Sequence, residues 1–200
     1  MSIQVPVVSA QQMQEIESCL FANGMPVAAL MEKVGGLIAR RIRALYPLER
    51  FQTVGVLVGP GHNGADALVV ARELSFKGYQ VHIYHPFERI KELTKAHAQF
   101  ARSLSIPFHQ SIEELRSCDA VIDGIFGFGL ERSIGGDLAQ AIQELNRWSL
   151  PIVSIDIPSG LHTDTGEVLG IAVRATQTLC LGLWKLGLVQ DPALEWTGQA

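Results

Sequence analysis

The chain has 200 residues, 48% hydrophobic and 18% charged, the composition of one globular domain of ordinary size and not of a disordered segment. Its formal net charge of −4, with no basic run beyond Arg40-Arg41-Ile42-Arg43 late in a helical pattern, argues against a nucleic-acid surface. Cys19, Cys118 and Cys180 lie far apart without metal-ligand spacing and read as core or near-core thiols. With no apolar run of membrane length and no secretory pattern over Met1 to Pro6, they imply a cytoplasmic location.

Val8 to Ala22 carries Met13, Ile16 and Leu20 at helical spacing, and Asn23-Gly24 stops that helix. Pro26 opens a second helix with Leu30, Met31, Val34, Leu37, Ile38 and Ile42 on its apolar side; Gly35-Gly36 inside it points to close packing against another element. Thr53 to Val58 is an apolar, β-branched run and reads as a buried strand. Gly59-Pro60-Gly61 ends it, and Asn63-Gly64-Ala65-Asp66 opens a helix to about Leu74. A strand of Gln80 to Tyr84, a helix of about Glu88 to Leu104, a short strand at Ile106 to His109 and a turn or two of helix at Ile112 to Arg116 follow. Asp119 to Asp123 is a strand, Gly124 to Gly136 a glycine-rich loop, Leu138 to Trp148 a helix, Pro151 to Ile155 a strand and Ala175 to Leu183 another. Strands alternating with helices give an α/β fold with a parallel sheet covered on both faces. There is no internal repeat and no second domain, so residues 1–200 read as one domain.

Gly59-x-Gly61-x-x-Gly64 satisfies the dinucleotide fingerprint, and the following helix start suits an anion. The fingerprint also requires an acid at the end of the next strand. That strand runs instead into His85-Pro86-Phe87, and Glu88 lies beyond the proline, which disfavours a standard NAD site. The plainer alternative is a tight turn whose glycines serve packing. Three strand ends carry polar residues into the crevice where an open parallel sheet binds ligands: Asn63 and Asp66, then Asp123 with Gly127-Phe128-Gly129, then Asp156 with Pro158-Ser159-Gly160. Asn63, Asp123 and Ser159 offer oxygens suited to a hard cation. Gly127-x-Gly129 and Arg132 suit a phosphate-bearing ligand. Against this, a strand-end Asp is often only a cap or loop hydrogen-bonder, Arg132 alone is more often a surface residue, His62 reads equally as a solvent-exposed loop residue, His82 as structural, and Lys185 as a snorkelling surface lysine.

With these residues assembled, the chain resembles the YjeF N-terminal domain family of NAD(P)H-hydrate epimerases. Leu30-Met31-Glu32-Lys33-Val34-Gly35 resembles L-M-E-x-A-G, and Gly61-His62-Asn63-Gly64-Ala65-Asp66-Ala67 resembles G-N-N-G-G-D-G. Asp123 to Leu130 resembles D-A-L-F-G-T-G-L, Ser154 to Leu161 is S-I-D-I-P-S-G-L, and Lys185-Leu186-Gly187-Leu188 resembles K-P-G-L. The resemblance implies a three-layer αβα Rossmann-like sandwich with a mostly parallel central sheet and two N-terminal helices, a homodimer, and interconversion of the R and S forms of hydrated NADH and NADPH. It implies a potassium ion (K+) held by Asn63, Asp123 and Ser159. It also implies substrate contacts at His62, Asn63, Gly64, Ala65 and Asp66, at Gly127, Phe128, Gly129, Leu130, Glu131, Arg132 and Ser133, and at Asp156. In many relatives an ADP- or ATP-dependent dehydratase domain follows, and the abrupt end near Gly198 fits a domain cut from such a fusion. His62, Ala65, Ala67 and Phe128 depart from the pattern; Ala65 and Ala67 fall in a helix start, where negative φ is expected.

Asp156 is the expected catalytic residue, acting as general acid and base for departure and return of the hydroxyl. The alternative is a non-catalytic nucleotide-binding or interaction domain of the same fold. An ordinary Rossmann oxidoreductase is disfavoured by the missing ribose acid. A serine hydrolase built on Ser159 is disfavoured by Ile157 and Pro158, where a nucleophile elbow needs other residues.

Overall fold

The computed structural model describes residues 6–200. Met1 to Val5, part of the segment read above for a secretory pattern, lie outside the described residues. The elements in chain order are β1 (Val7–Val8), α1 (Ala10–Ala22), α2 (Val27–Leu45), β2 (Thr53–Val58), α3 (His62–Ser75), β3 (Gln80–Tyr84), α4 (Glu92–Ser103), β4 (Phe108–His109), β5 (Ala120–Gly124), α5 (Gly136–Leu145), β6 (Ile152–Ile155), β7 (Gln177–Leu179), β8 (Trp184–Lys185) and α6 (Leu194–Thr197). Ile112–Leu115 forms a 3-10 turn.

Six strands form one parallel sheet in the order β4-β3-β2-β5-β6-β7. The chain winds outward from β2 in one direction and from β5 in the other, so the switch point lies between those two strands. Helices cover both faces, as the alternation of patterns predicts. On one face Ile38 and Ile42 of α2, Leu68 and Leu74 of α3 and Ala98 of α4 pack on Val54, Val56 and Ile83. On the other, Leu115, Ile142 and Leu145 pack on Leu57 and Val121. Gly35 lets α2 close on α3: a Cβ there would fall 2.7 Å from Val69 Cβ, whereas Gly36 faces open space. Buried Arg72 ion-pairs with Glu32 and ties the same two helices. Among the described residues no helix is long and apolar enough to cross a membrane.

The departures from the sequence reading have local causes. The last long strand is only Gln177–Leu179. Trp184 and Lys185 leave the main sheet and pair in parallel with Val7 and Val8, so α1 begins at Ala10 and not at Val8. Ser9 caps α1 with a reciprocal capping box to Gln12. Helix α4 starts four residues later than its pattern because Lys91 N–H donates to Pro60 O at 2.9 Å, tying the preceding segment to the glycine turn. Cys118 is buried and Cys180 half-buried, but Cys19 is exposed on α1, so the near-core reading fails for that thiol.

Candidate active site

The first strand end is built by close backbone approach. A Cβ at Gly64 would strike the Gly59 carbonyl, and one at Gly59 the Ile125 carbonyl, so these two glycines press the start of α3 onto β2 and β5. Gly61 caps the helix, and Thr94 Oγ1 donates to its carbonyl at 2.9 Å. Ala65 and Ala67 are fully buried, and neither has positive φ. Ala67 instead meets β5. A Cβ at Gly124 would lie 2.3 Å from Ala67 Cβ, so glycine where D-A-L-F has alanine accompanies alanine where G-G-D-G has glycine.

The second strand end holds Asp123, fully buried. Its Oδ2 accepts from Ser154 Oγ at 2.8 Å and from Ser159 N–H at 2.9 Å; its Oδ1 accepts from Ser159 Oγ at 2.6 Å and from Ile125 N–H at 3.2 Å. No cationic side chain pairs with it among the described residues. Burial pushes its carboxyl up, and the hydrogen bonds from Ser159, Ser154 and Ile125 oppose that shift. Ser159 Oγ also accepts from Phe126 N–H at 2.9 Å. That hydroxyl is fully buried and bound to a carboxylate, with no histidine partner among the described residues, which removes the serine-hydrolase reading.

The third strand end holds Asp156. It is a buried non-glycine residue with φ of 72°, a region an aspartate enters more readily than most but at some cost, and such residues gather at functional sites. Its Oδ2 accepts from Phe128 N–H at 2.9 Å and its Oδ1 ion-pairs with Lys185. Lys185 is not the surface lysine of the plainer reading. It is 1% exposed, donates to Leu181 O as well, and lies 5.8 Å from the centroid of the Phe128 ring, which covers the pair. The Lys185 backbone is held by its pairing with Val8.

Gly127 joins the strand ends. A Cβ there would lie 2.9 Å from Asp156 Oδ2 and 3.3 Å from Asn63 Oδ1, so both side chains pack on one glycine backbone. Asn63 Nδ2 reaches Ile155 O at 3.4 Å, while its Oδ1 accepts no hydrogen bond among the described residues. Asp66 has no hydrogen-bond or ion-pair partner among them either. Burial first, then the charges of Asp156 and Glu17, push its carboxyl up to about 8.

The structure thus brings Asn63, Asp66, Asp123, Phe128, Asp156 and Ser159 to one end of the sheet. The remaining expected contacts differ in kind. Gly64 and Ala65 are buried beneath the helix start, so their side faces meet protein. Leu130 packs in the apolar cluster of α5. His62, Gly129, Glu131, Arg132 and Ser133 are exposed. Gly129 N–H donates to Thr163 Oγ1 at 3.2 Å, which fixes the loop.

Sequence reasoning missed Glu17. It lies one helical turn beyond Met13, whose tip meets Gly182, and burial and the Asp156 charge raise its carboxyl while Lys185 lowers it. Its only signal was the i to i+4 spacing from an apolar position, which Glu15 and Gln14 beside it conceal.

Fold and site define an open, doubly wound parallel α/β protein that gathers polar residues at the carboxyl ends of its strands, with a buried, ion-paired aspartate among them. Residues 27–187 match the family described as YjeF-related protein N-terminus, and the chain belongs to that family. It is 55% identical over 193 residues to the "Bifunctional NAD(P)H-hydrate repair enzyme Nnr" of Thermosynechococcus vestitus, covering 96% of this chain and 38% of that protein. The protein of that name in Synechocystis is 53% identical over 193 residues, with 96% and 37% covered. The chain therefore spans less than two fifths of the length of these relatives. The "NAD(P)H-hydrate epimerase" of Limosilactobacillus reuteri is 31% identical over 196 residues, with 96% of this chain and 92% of that protein covered. The crystal structure of yeast ynu0 (YNL200c) superposes with a TM-score of 0.83 at 28% identity, covering 92% of this chain and 83% of that one.

Proposed function

We propose that this chain is an NAD(P)H-hydrate epimerase that interconverts the R and S forms of hydrated NADH and NADPH at C6 of the nicotinamide ring. The observation that carries the reading is the buried, positive-φ Asp156 paired with Lys185 at a strand end that also gathers Asn63 and Asp66. The names of the relatives support it.

C6 bears a hydroxyl beside the ring nitrogen. A proton delivered to that hydroxyl lets the C–O bond break and water leave, with the electron pair of the ring nitrogen forming the iminium cation. Return of water to either face, with loss of a proton to a carboxylate, completes the exchange. Asp156 is the acid and base for this transfer, and Lys185 and Phe128 N–H hold its two oxygens in place. Asp66, a carboxyl raised to about 8, retains its proton at neutral pH and is the second acid available to a departing hydroxyl. Carboxylate charge on Glu17 and Asp156 favours the cation between the two steps.

The oxygens of Asn63, Asp123 and Ser159 fit a K+ ion. Asp123 is a buried carboxylate without a cationic partner among the described residues, Asn63 Oδ1 is unclaimed, and the donor set is all oxygen. The ion would join the three loops and supply positive charge for the ribose and phosphate side of the ligand. We further propose a homodimer and, in the full-length context of the longer relatives, a dehydratase partner domain consuming the S form.

The test is exchange between separated R and S hydrates of NADH, followed by chromatography. Acceleration over the spontaneous rate is expected. A folded protein that binds the nucleotide without accelerating exchange would instead be a scaffold of the same fold.

A further inference from the structure

Asp156 stands at the end of β6, on one side of the switch point between β2 and β5. A cavity of about 240 Å³ is lined by the glycine-rich loop after β5, the start of α5 and the segment after β3. Its walls are Phe87, Phe126, Leu130, Arg132, Ile134 and Leu138. Phe87 follows β3 and Phe126 follows β5, so the two strands that flank β2 each send an aromatic ring to this place. The two rings meet edge to face, with centroids 6.2 Å apart and planes at 70°, and His85 packs edge-on with Phe87 as well. Both are half-buried, and their inner sides pack on the α5 cluster. Arg132 is the one basic residue on the wall.

Doubly wound sheets bind a dinucleotide across the switch point, one mononucleotide on each half. The cavity adjoins Asp156 through the glycine-rich loop: Gly127, against which Asp156 Oδ2 packs, directly follows Phe126 of the cavity wall. The loop Gly127 to Ser133 runs between them. The cavity is smaller than the 300 Å³ or more of an ordinary whole-ligand pocket, so it suits a single planar heterocycle. Glu88, the first acid after β3 in sequence, is exposed and lies past Pro86, while Asp137 at the start of α5 is the acid whose charge reaches Tyr84 at the end of β3.

Resting on the epimerase reading above, we infer that the cavity walled by Phe87 and Phe126 is the subsite for the adenine base of the dinucleotide, with Arg132 toward its phosphates. The hydrated nicotinamide sits over Asp156, the diphosphate follows the glycine-rich loop, and the base stacks on the two rings.

The experiment compares hydrated NADH with hydrated reduced nicotinamide mononucleotide, which keeps the reacting ring and lacks the adenosine half. The wild type is expected to favour the dinucleotide in kcat/KM. In Phe87→Ala and in the milder Phe87→Leu, that preference falls at least tenfold, with the change in KM. Calorimetric titration with AMP, which needs no turnover, is expected to show affinity weakened at least tenfold in both variants. Circular dichroism and a urea midpoint verify that each variant is folded. If the preference and the AMP affinity match the wild type in folded Phe87→Leu, the subsite is wrong. If the wild type turns over neither hydrate, the epimerase reading fails and the AMP titration alone decides the subsite.

Discussion

Gly124→Ala is predicted to destabilise the protein, and Ala67→Gly is predicted to rescue it in part. The new Cβ would lie 2.3 Å from Ala67 Cβ and 3.2 Å from the Leu57 carbonyl oxygen. Carbon atoms settle about 3.5 to 4.0 Å apart, so β5 and α3 would have to separate by more than about 1 Å. Helix α3 has no slack to give, because α2 closes on its other side where Gly35 meets Val69. Overpacking of this kind costs about 1–3 kcal/mol, and the upper part of that range is expected here. Ala67→Gly alone costs about 1 kcal/mol for a glycine inside a helix. Independent effects would sum in the double variant. The geometry predicts instead that the double variant loses the clash with Ala67 and keeps the glycine cost and the tight approach to the Leu57 and Asn63 carbonyls, a coupling of about 1–2 kcal/mol. Urea unfolding of the four proteins in the cycle measures this directly. Additivity to within about 0.5 kcal/mol would refute the claim that the two departures from the family pattern compensate each other.

Lys185→Met leaves Asp156 buried without its cation; a loss of about 3–5 kcal/mol in stability is predicted from denaturant unfolding. In the folded fraction the exchange rate should fall, and an unchanged rate would show that Lys185 does not hold Asp156 for the proton transfer. Asp66 binds a proton in the folded state up to about pH 8, against an ordinary value of 3.8, so between those limits the folded state holds more protons than the unfolded one. Stability from this group is therefore highest at the acid end and falls as pH rises toward 8; Asp66→Asn should flatten that slope by about 1 kcal/mol or more, read from urea midpoints at pH 5 and pH 8. Replacing K+ with a large organic cation should lower the exchange rate in the wild type, and Asp123→Asn should abolish the ion dependence; a wild-type rate indifferent to the ion would remove potassium from the account.

Much of the sheet was legible in the sequence. Thr53–Val58 and Gln80–Tyr84 fall where the apolar, β-branched runs place them, because a strand buried on both faces carries its own signal. The strand-end polar residues were legible for a related reason, since each stands directly after such a run. Two-residue strands gave no signal. Val8 and Lys185 pair across almost the whole chain, and that pairing, not local propensity, makes them strands. Lys185 looked like a surface residue because burial of an ammonium depends on Asp156 and the Leu181 carbonyl, neither of which sequence spacing brings near. Glu17 was hidden for the same reason: its neighbours at the site, Asp66, Asp156 and Lys185, come from three other segments.

The central claim is that Asp156 performs the proton transfers of R/S exchange. The most direct measurement is the exchange rate of purified R and S hydrates of NADH with the wild type and with Asp156→Asn, the variant shown to be folded by its urea midpoint. The amide keeps the shape and can still accept from Phe128 N–H, but it cannot carry the proton. A rate lower by at least about 100-fold is predicted, within the usual range for loss of a general acid–base group. Exchange at the full wild-type rate in the folded variant would contradict the account and pass the role to another carboxyl, with Asp66 the first to test.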